Sequence, residues 1–149
     1  SNLGSQFIQS KLEGLAASGA ERDRAVEEAK EGVMELLKKT IRPEFLNRID
    51  DIIMFSPLTE PEIRQIVRLQ IDAIVRRLQS QEVSLTVDES AVSLIASAGF
   101  DPEFGARPVK RALQRLLLND LSRALLGGTV DRRRPIRVTA HGDALEFKN

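Results

Sequence analysis

The spacing of apolar residues predicts helices separated by short breaks in the first part of the chain. Apolar side chains at positions 7, 8, 12 and 15 indicate a mildly amphipathic helix over 6–18. A second helix is predicted over 22–39, with acidic residues early and basic residues late, as the helix dipole favours. Pro43 begins a short helical turn that runs to Arg48. The continuous apolar run within 51–55 predicts a strand that is buried on both faces.

A second unit is predicted after the Ser-Pro-Leu segment at 56–58, which is typical of a hinge. The next helix is predicted over 59–81, and its opening Thr-Glu-Pro-Glu sequence has the spacing of a capping box. Alternating apolar and polar residues predict a half-buried strand over 83–87. Asp88 is a suitable N-cap for a further helix that ends at Gly99.

The last part of the chain predicts one long helix and a hairpin. Pro108 suits the first turn of the helix, which carries leucines at helical spacing and stops at the two glycines at 127–128. Strands are predicted over 136–140 and 144–148, on either side of a His-Gly-Asp turn. Helices combined with a small sheet in this way are typical of an α+β fold.

The composition narrows the functional classes. With 149 residues, 42% of them hydrophobic, the chain is long enough to bury a core. Its 22 basic and 22 acidic side chains balance, which argues against a dedicated nucleic-acid binder. The absence of cysteine and the single histidine, His141, exclude disulfides, thiolate catalysis and Cys- or His-rich metal sites. No apolar run approaches the about 20 residues of a membrane span. Because the first residue is Ser1 and not methionine, we expect a fragment of a longer protein.

Arg48 is the first candidate for chemistry. Phe45, Leu46 and Ile49 are placed to anchor a short helix from which Arg48 projects. An arginine on a short rigid element can stabilise charge on the phosphate of a neighbouring molecule, because its planar guanidinium presents a fixed fork of donors. The alternative is an ordinary surface ion pair with Asp50, which the spacing alone favours.

Arg107, at the start of the long helix, is the second candidate. Helix N-termini attract anions, and with Lys110, Arg111 and Arg115 it forms a basic stripe at helical spacing. The alternative is a solvated face opposite the leucines, and the residues alone favour it. The three arginines at 132–134 are interpreted as a solvated turn, since no aromatic platform accompanies them. No Gly-x-x-x-x-Gly-Lys-Ser/Thr loop occurs, so the chain alone is not expected to bind or hydrolyse ATP well.

Longer motifs make a family resemblance specific. Arg-Pro-Glu-Phe-Leu-Asn-Arg-Ile-Asp at 42–50 is followed by Asp-Ile-Ile-Met-Phe-Ser-Pro-Leu at 51–58, and Phe-Asp-Pro-Glu-Phe-Gly-Ala-Arg-Pro-Val-Lys-Arg-Ala-Leu-Gln lies at 100–114. In order and spacing they resemble the end of the second ATPase domain of the Clp/Hsp100 AAA+ ATPases. Ser-Asn-Leu-Gly-Ser at 1–5 resembles a segment of that family that follows the strand carrying sensor 1.

The resemblance implies a fold and a set of roles. Residues 1–56 would be the mostly helical end of an AAA+ large (α/β) subdomain, and 57–149 a Clp-type C-terminal small domain of helices with a small β-sheet. Arg48 would be the arginine finger that acts in trans, Asn2 the sensor 1 residue, and Arg107 sensor 2. The intact parent would use ATP with Mg²⁺ in a homohexameric ring, whereas the fragment, without Walker A and B motifs, would be no enzyme and hold no tightly bound cofactor.

The branch of the family is predicted from a missing loop. Members that feed a protease carry an aliphatic-Gly-Phe or aliphatic-Gly-Leu loop after sensor 1, but between Ser5 and Thr40 the only related sequence is Glu-Gly-Leu at 13–15, whose leading acid departs from that pattern. We therefore expect the disaggregating, Hsp104-like branch, which works with an Hsp70 system on misfolded or aggregated clients in the cytoplasm, with no nucleic acid, membrane or metal. The alternatives are a protease-feeding Clp ATPase subunit and a non-enzymatic protein-interaction module.

Overall fold

A computed structural model describes residues 4–12, 19–101 and 104–149 of the chain. The chain divides into two compact units, with the boundary between Pro57 and Leu58. The helices of the first unit are α1 (Ser5–Leu12), α2 (Gly19–Thr40) and α3 (Pro43–Leu46). The second unit contains α4 (Glu60–Gln79), β1 (Leu85–Val87), α5 (Glu89–Gly99), α6 (Arg107–Ala112), a π-helical segment (Leu113–Leu118), α7 (Asn119–Leu126), β2 (Ile136–His141) and β3 (Ala144–Lys148). The predicted α+β fold class, mainly helical with a small sheet, is confirmed.

In the first unit, α1 packs against α2 at a glycine. A Cβ atom on Gly32 would lie 2.3 Å from the ring of Phe7, so the ring rests where any larger residue would place its side chain. Ala29 and Val33 on the same helix are buried. The acidic start and basic end of α2, with Glu21 in the first turn and Lys38 and Lys39 in the last, follow the helix dipole.

The strand predicted over 51–55 does not form. These residues have no regular secondary structure. The Ile53 and Phe55 side chains are 73% and 85% exposed, so the prediction of burial on both faces is wrong as well. A strand of this kind needs a neighbour on each side for its backbone hydrogen bonds, and the described residues of the first unit contain no strand that could pair with it.

The capping box at the start of α4 is confirmed. The Thr59 amide donates to Glu62 Oε2 over 2.6 Å, and the Glu62 amide donates to Thr59 Oγ1 over 3.4 Å. Ile63, Val67 and Ile71 then follow one face of the helix and are buried. Local sequence therefore determines both where α4 begins and which face it buries.

The sheet has the order β1-β2-β3. β2 and β3 form the predicted antiparallel hairpin, with Val138 opposite Phe147. β1 is shorter than predicted and pairs with β2 in parallel, with Leu85 opposite Ile136. Asp88 caps α5 through a bond from the Ala91 amide, as predicted. Because the Asp88 amide also donates to the Val138 carbonyl, α5 begins directly at the sheet.

The predicted long helix is interrupted by a π-helical segment. α6, the π-helical segment and α7 follow one another without a break, and a side-chain bond from Gln114 to Asn119, five residues later, spans the segment. The core of the second unit lies between this composite helix, α4, α5 and the sheet. Its largest fully buried side chains are Ile63, Ile95, Leu117, Ile136, Val67 and Val138.

Candidate functional site

Arg48 lies on a tight turn that follows α3. Pro43 occupies the first turn of α3, and the Arg42 carbonyl accepts bonds from the amides of Phe45 and Leu46. The Arg48 amide then donates to the Phe45 carbonyl over 3.1 Å. Together with the bond from the Ile49 amide to the Leu46 carbonyl over 3.1 Å, these bonds fix the backbone on both sides of the arginine, so its side chain projects from a defined position.

The Arg48 side chain is exposed. Across the described ranges it makes no ion pair, and the pair with Asp50 that the spacing favours does not form. A guanidinium carries five N–H donors in a fixed fork and stays charged, which suits it to phosphate or carboxylate oxygens. The geometry therefore leaves this fork available to an anion from outside the described residues.

The apolar residues around Arg48 differ from the prediction. Phe45 is 55% exposed and Ile49 is 42% exposed, so neither anchors the short helix in a core. Leu46 alone of the three is half-buried. Arg48 is thus flanked by two exposed apolar side chains, and both arginine and aromatic residues such as phenylalanine are enriched in protein interfaces.

Arg107 follows a closed loop. The amide of Asp101 donates to the Gly105 carbonyl over 3.2 Å, and the Gly105 amide returns a bond to the Asp101 carbonyl over 2.7 Å. The Asp101 carboxylate also accepts from the Phe104 amide over 3.0 Å. Gly105 has a φ of +63°, which other residues adopt only with strain. This loop determines where the helix that carries Arg107 begins.

A close backbone contact holds the same helix against α5. A Cβ atom on Gly99 would lie 2.9 Å from the Cα atom of Val109, which is closer than real Cβ atoms approach. Val109 itself is 2% exposed. Arg107, two residues earlier, is therefore carried by a rigid part of the second unit.

Arg107 and the other cations of its stripe are all exposed. Lys110, Arg111 and Arg115 lie on the same side of the helix, and none of the four forms an ion pair with any described residue. The first turn of α6 has no acidic residue, and its N-cap residue, Ala106, offers no side-chain cap. Positive charges near the N-terminus of a helix interact unfavourably with the helix dipole. The exposure of these four cations is compatible with a solvated face and also with contact with an anion.

The remaining candidates have other positions. The three arginines at 132–134 are exposed in a turn, as predicted, and Arg132 also donates to the Gln81 carbonyl over 2.7 Å. His141 is exposed and is the last residue of β2, whereas the sequence predicted that it lies in the turn after that strand. Asn2 and the Glu-Gly-Leu sequence at 13–15 lie outside the described residues. Arg48 and Arg107 belong to different units.

The sequence interpretation missed one charged cluster. Glu89, in the first turn of α5, pairs with Arg64 and Arg68 of α4, and the Arg64 bond measures 3.3 Å. The hydrogen bond from Arg68 holds the pKa of the Glu89 carboxyl below its ordinary value. The sequence feature that could have indicated this cluster is the pair of arginines four residues apart on α4. It could not be matched with Glu89 until the packing of α4 on α5 was known.

The described residues contain neither a metal-binding cluster nor a membrane-spanning helix. Within 4–12, 19–101 and 104–149, no group of three or more His, Asp or Glu side chains could hold a metal ion. Of the helices described, none combines the length and the apolar character that a membrane span needs.

The second unit consists of helices and a small mixed sheet, with an arginine at the start of its last long helix. This architecture is that of the AAA+ C-terminal small domain. The family model of the C-terminal, D2-small domain of ClpB protein matches residues 58–138, and the chain belongs to this family. The membership predicted from the motifs is thereby confirmed, and the branch is that of ClpB.

Curated relatives match beyond that domain. The chain is 55% identical over all of its 149 residues to a chaperone protein ClpB of Bacteroides thetaiotaomicron, and 52% identical over the same length to one of Porphyromonas gingivalis. It is 40% identical over 147 residues to chaperone protein ClpB 2 of Nostoc sp.. The chain spans only 17% of the length of the first two relatives and 16% of the third.

Proposed function

We propose that the chain is the C-terminal part of the second ATPase domain of an ATP-dependent disaggregating chaperone. In this proposal residues 1–56 end the large subdomain and 57–149 form the small domain. The observation that carries it is Arg48: an exposed guanidinium without an ion pair among the described residues, on a hydrogen-bonded turn between exposed Phe45 and Ile49. Support also comes from relatives that are named ClpB chaperones.

Arg48 acts in trans in this proposal. Its fork would contact the phosphate oxygens bound by the next subunit, where charge develops during phosphoryl transfer. The exposed side chains of Phe45 and Ile49 would pack against that subunit around the charge. A charge that is fixed before the reaction lowers the barrier because no reorganisation is needed at the moment of transfer.

Arg107 acts within its own subunit as sensor 2, and Asn2 contributes as the sensor 1 residue, which orients the attacking water. The closed loop at Gly105 and the contact of Gly99 with Val109 support the role of Arg107, because they would transmit a displacement of the arginine to the whole second unit. Loss of a phosphate from the site would thus alter the arrangement of the two units about 56–58.

The residues present suit part of a nucleotide site. The guanidinium groups of Arg48 and Arg107 match phosphate oxygens, but the chain has no glycine-rich loop to surround them. Bound ATP with Mg²⁺ would supply the phosphoryl group and neutralise part of its charge. Its binding loop would come from the rest of the parent, and the 149-residue chain alone should show no measurable ATPase activity.

The segment 51–55 has a place in the same proposal. Its continuous apolar sequence predicts a strand buried on both faces, whereas Ile53 and Phe55 are exposed here. We propose that this segment joins the sheet of the large subdomain in the parent, which would supply the strand neighbours that the described residues lack.

The partners proposed for the parent follow from the same assignment. Neighbouring subunits of a homohexameric ring would share each site through Arg48. An Hsp70 system would deliver misfolded or aggregated clients, and the whole would work in the cytoplasm.

The test is ATP hydrolysis by parent rings doped with increasing fractions of Arg48→Ala subunits. We expect turnover to fall more steeply than the fraction of wild-type subunits, with nucleotide still bound, because an arginine finger contributes roughly 10³ or more to the rate. Arg48→Lys should restore little, since an ammonium lacks the planar fork. Arg76→Ala, which removes an exposed arginine from α4, is the matched control.

Two outcomes would contradict the proposal. Unchanged turnover when every subunit carries Arg48→Ala would show that Arg48 is a surface residue with no part in ATP hydrolysis. Stimulation of peptide degradation by a Clp protease, with no recovery of aggregated clients, would indicate a protease-feeding subunit instead.

A further inference from the structure

The segment that leads from the first unit to the second makes few contacts. Residues 51–57, which we call the linker, have no regular secondary structure. Within the described residues, the linker takes part in two hydrogen bonds: the Ile52 amide donates to the Asp51 carboxylate, and the Pro57 carbonyl accepts from Arg22. Of these two bonds, the one from Arg22 attaches the linker to a helix.

Arg22 lies in the first turn of α2, and its guanidinium extends to the end of the linker. The Nη2 atom donates to the Pro57 carbonyl over 2.8 Å, and the arginine is half-buried. A cation in the first turn of a helix interacts unfavourably with the helix dipole, so the dipole of α2 does not favour an arginine at this position. The bond to Pro57 is a contact that offsets this cost.

The bond to the Pro57 carbonyl restrains more than one atom. The peptide group that joins Pro57 to Leu58 is planar, so a restrained carbonyl oxygen also restrains the direction of the Leu58 amide. The ring of Pro57 fixes its own φ as well. The backbone as far as the Leu58 nitrogen is therefore attached to α2, within the first unit.

Leu58 is held on the other side of the boundary, within the second unit. A Cβ atom on Gly105 would lie 3.9 Å from Leu58 Cδ1, an ordinary van der Waals distance, so Leu58 lies against the loop that precedes Arg107. Thr59, the next residue, caps α4. Between these two attached sides, free rotation remains only about the backbone bonds of Leu58.

We propose that Arg22 is the positioning residue of the hinge: it attaches the linker to α2, so that the second unit turns at Leu58 and not at an earlier residue. The proposal rests on the movement about 56–58 in the proposed function, and it assigns that movement one pivot. A hinge is a small number of residues that absorb the change in φ and ψ. Without the bond, the residues between the proposed strand at 51–55 and Leu58 would absorb part of the movement.

Cleavage by chymotrypsin measures the attachment in the 149-residue chain. The protease cuts after phenylalanine and requires a segment that can leave its position, so the rate of cleavage after Phe55 reports the release of the linker. We expect Arg22→Gln to raise this rate about three- to tenfold, because a hydrogen bond from a charged donor is lost. Cleavage after Phe7, whose ring packs on Gly32, should keep its wild-type rate.

Arg24→Gln is the matched control, since Arg24 is an exposed arginine two residues further along α2. It removes the same charge and should leave cleavage after Phe55 unchanged. Equal acceleration after Phe7 and Phe55 in Arg22→Gln would show that Arg22 stabilises the whole first unit and would overturn the proposal. Unchanged cleavage after Phe55 would overturn it too, because the bond would then not hold the linker.

The effect on the hinge is measured in the parent protein, as the amount of aggregated client recovered per ATP hydrolysed. Arg22→Gln should keep ATP turnover within about twofold of the wild type, because the Arg22 guanidinium is engaged by Pro57 and not by a phosphate. The recovery per ATP should fall at least about threefold, because the released residues absorb the movement. A role in stability alone would instead lower turnover and recovery in proportion.

The remaining outcomes separate this proposal from the proposed function. Faster cleavage after Phe55 with an unchanged recovery per ATP, or with turnover and recovery lowered in proportion, would overturn the role of Arg22 in the hinge and leave the proposed function intact. A wild-type parent that recovers no clients would overturn the proposed function, and the cleavage rates would still decide whether Arg22 holds the linker.

Discussion

Because Gly99 has no side chain, α5 can lie very close to the helix that carries Arg107. Any Cβ atom at this position would lie 2.9 Å from both the Cα and the Cγ2 atoms of Val109. The backbone of Val109 cannot move without moving the start of α6. A glycine in the last turn of one helix therefore controls the position of an arginine on another.

Gly99→Ala should destabilise the second unit by about 1–3 kcal/mol, because one extra methyl group overpacks the contact with Val109. Elsewhere in a helix the same change stabilises by roughly 0.5–1 kcal/mol. Urea unfolding of the 149-residue chain measures the difference. Ser97→Ala, at an exposed position of α5, is the control and should be nearly neutral. A Gly99→Ala chain as stable as the wild type would show that the two backbones are not in close contact.

Glu89 links the stability of the second unit to pH. The hydrogen bond from Arg68 lowers the pKa of its carboxyl below the ordinary 4.5, with Arg64 contributing in the same direction. The side-chain hydrogen bond from Ser90, followed by the Ala91 amide, lowers the pKa of Asp88. Because both pKa values are lower in the folded chain, their contribution is complete above the unfolded pKa and is lost as pH falls through the folded pKa.

Glu89→Gln should therefore make the chain less sensitive to acid. We expect the wild type to lose more of its thermal stability than the variant between pH 7 and about pH 3, since only the wild type must protonate a paired carboxylate. Melting temperatures measured across this range by circular dichroism give the comparison. Parallel curves for the two proteins would contradict the ion pairs of Glu89 with Arg64 and Arg68.

At the scale of elements, α4 shows how a few residues at one end define a helix. The bonds between Thr59 and Glu62 satisfy amides that would otherwise have no partner at the start of α4. Thr59→Ala should cost about 1 kcal/mol, whereas Thr59→Ser should cost much less because it keeps the accepting oxygen. Thermal unfolding followed by circular dichroism compares the two. Equal losses would show that the methyl group of Thr59, and not its hydroxyl, is responsible.

Elements with such local signals could be predicted from the sequence. The start of α4, the Asp88 cap of α5 and the β2–β3 hairpin each depend on residues within a few positions of one another. The strand at 51–55 could not be settled in this way, because a strand depends on neighbours elsewhere in the chain. The sequence offers the apolar side chains, but no partner strand is present among the described residues of that unit.

The π-helical segment was missed for a different reason. Leu113, Leu116 and Leu117 are buried in it, and their spacing of three and four residues is also what an α-helix requires. The bond from Gln114 to Asn119 is the feature that suits the wider turn, and two side-chain amides five residues apart are no recognisable signal in a sequence.

For the candidate site, the motifs indicated Arg48 and Arg107. The exposure of both side chains, and the absence of an ion pair between Arg48 and Asp50, could be seen only in the structure.

In the whole molecule, the hydrophobic core belongs to one unit. Every residue of the main cluster lies between Ile63 and Leu145, so the second unit contains the apolar side chains and the sheet that it needs to fold. Residues 58–149 expressed alone should give the same amide resonances as in the full chain. A two-dimensional ¹H–¹⁵N spectrum of each is the measurement. Collapsed or poorly dispersed signals from the shorter chain would show that the first unit is required for folding.

The parallel pairing of β1 with β2 has a consequence for synthesis of the protein. Leu85 leaves the ribosome before its partner Ile136, about 50 residues later in the chain, has been translated. At ~5–20 residues per second, this interval lasts about 3 to 10 s. During it α4 and α5 can form, but the apolar side chains that β2 will cover are still open to other chains. A newly made copy of this unit therefore passes through a stage in which its own core is exposed to aggregation.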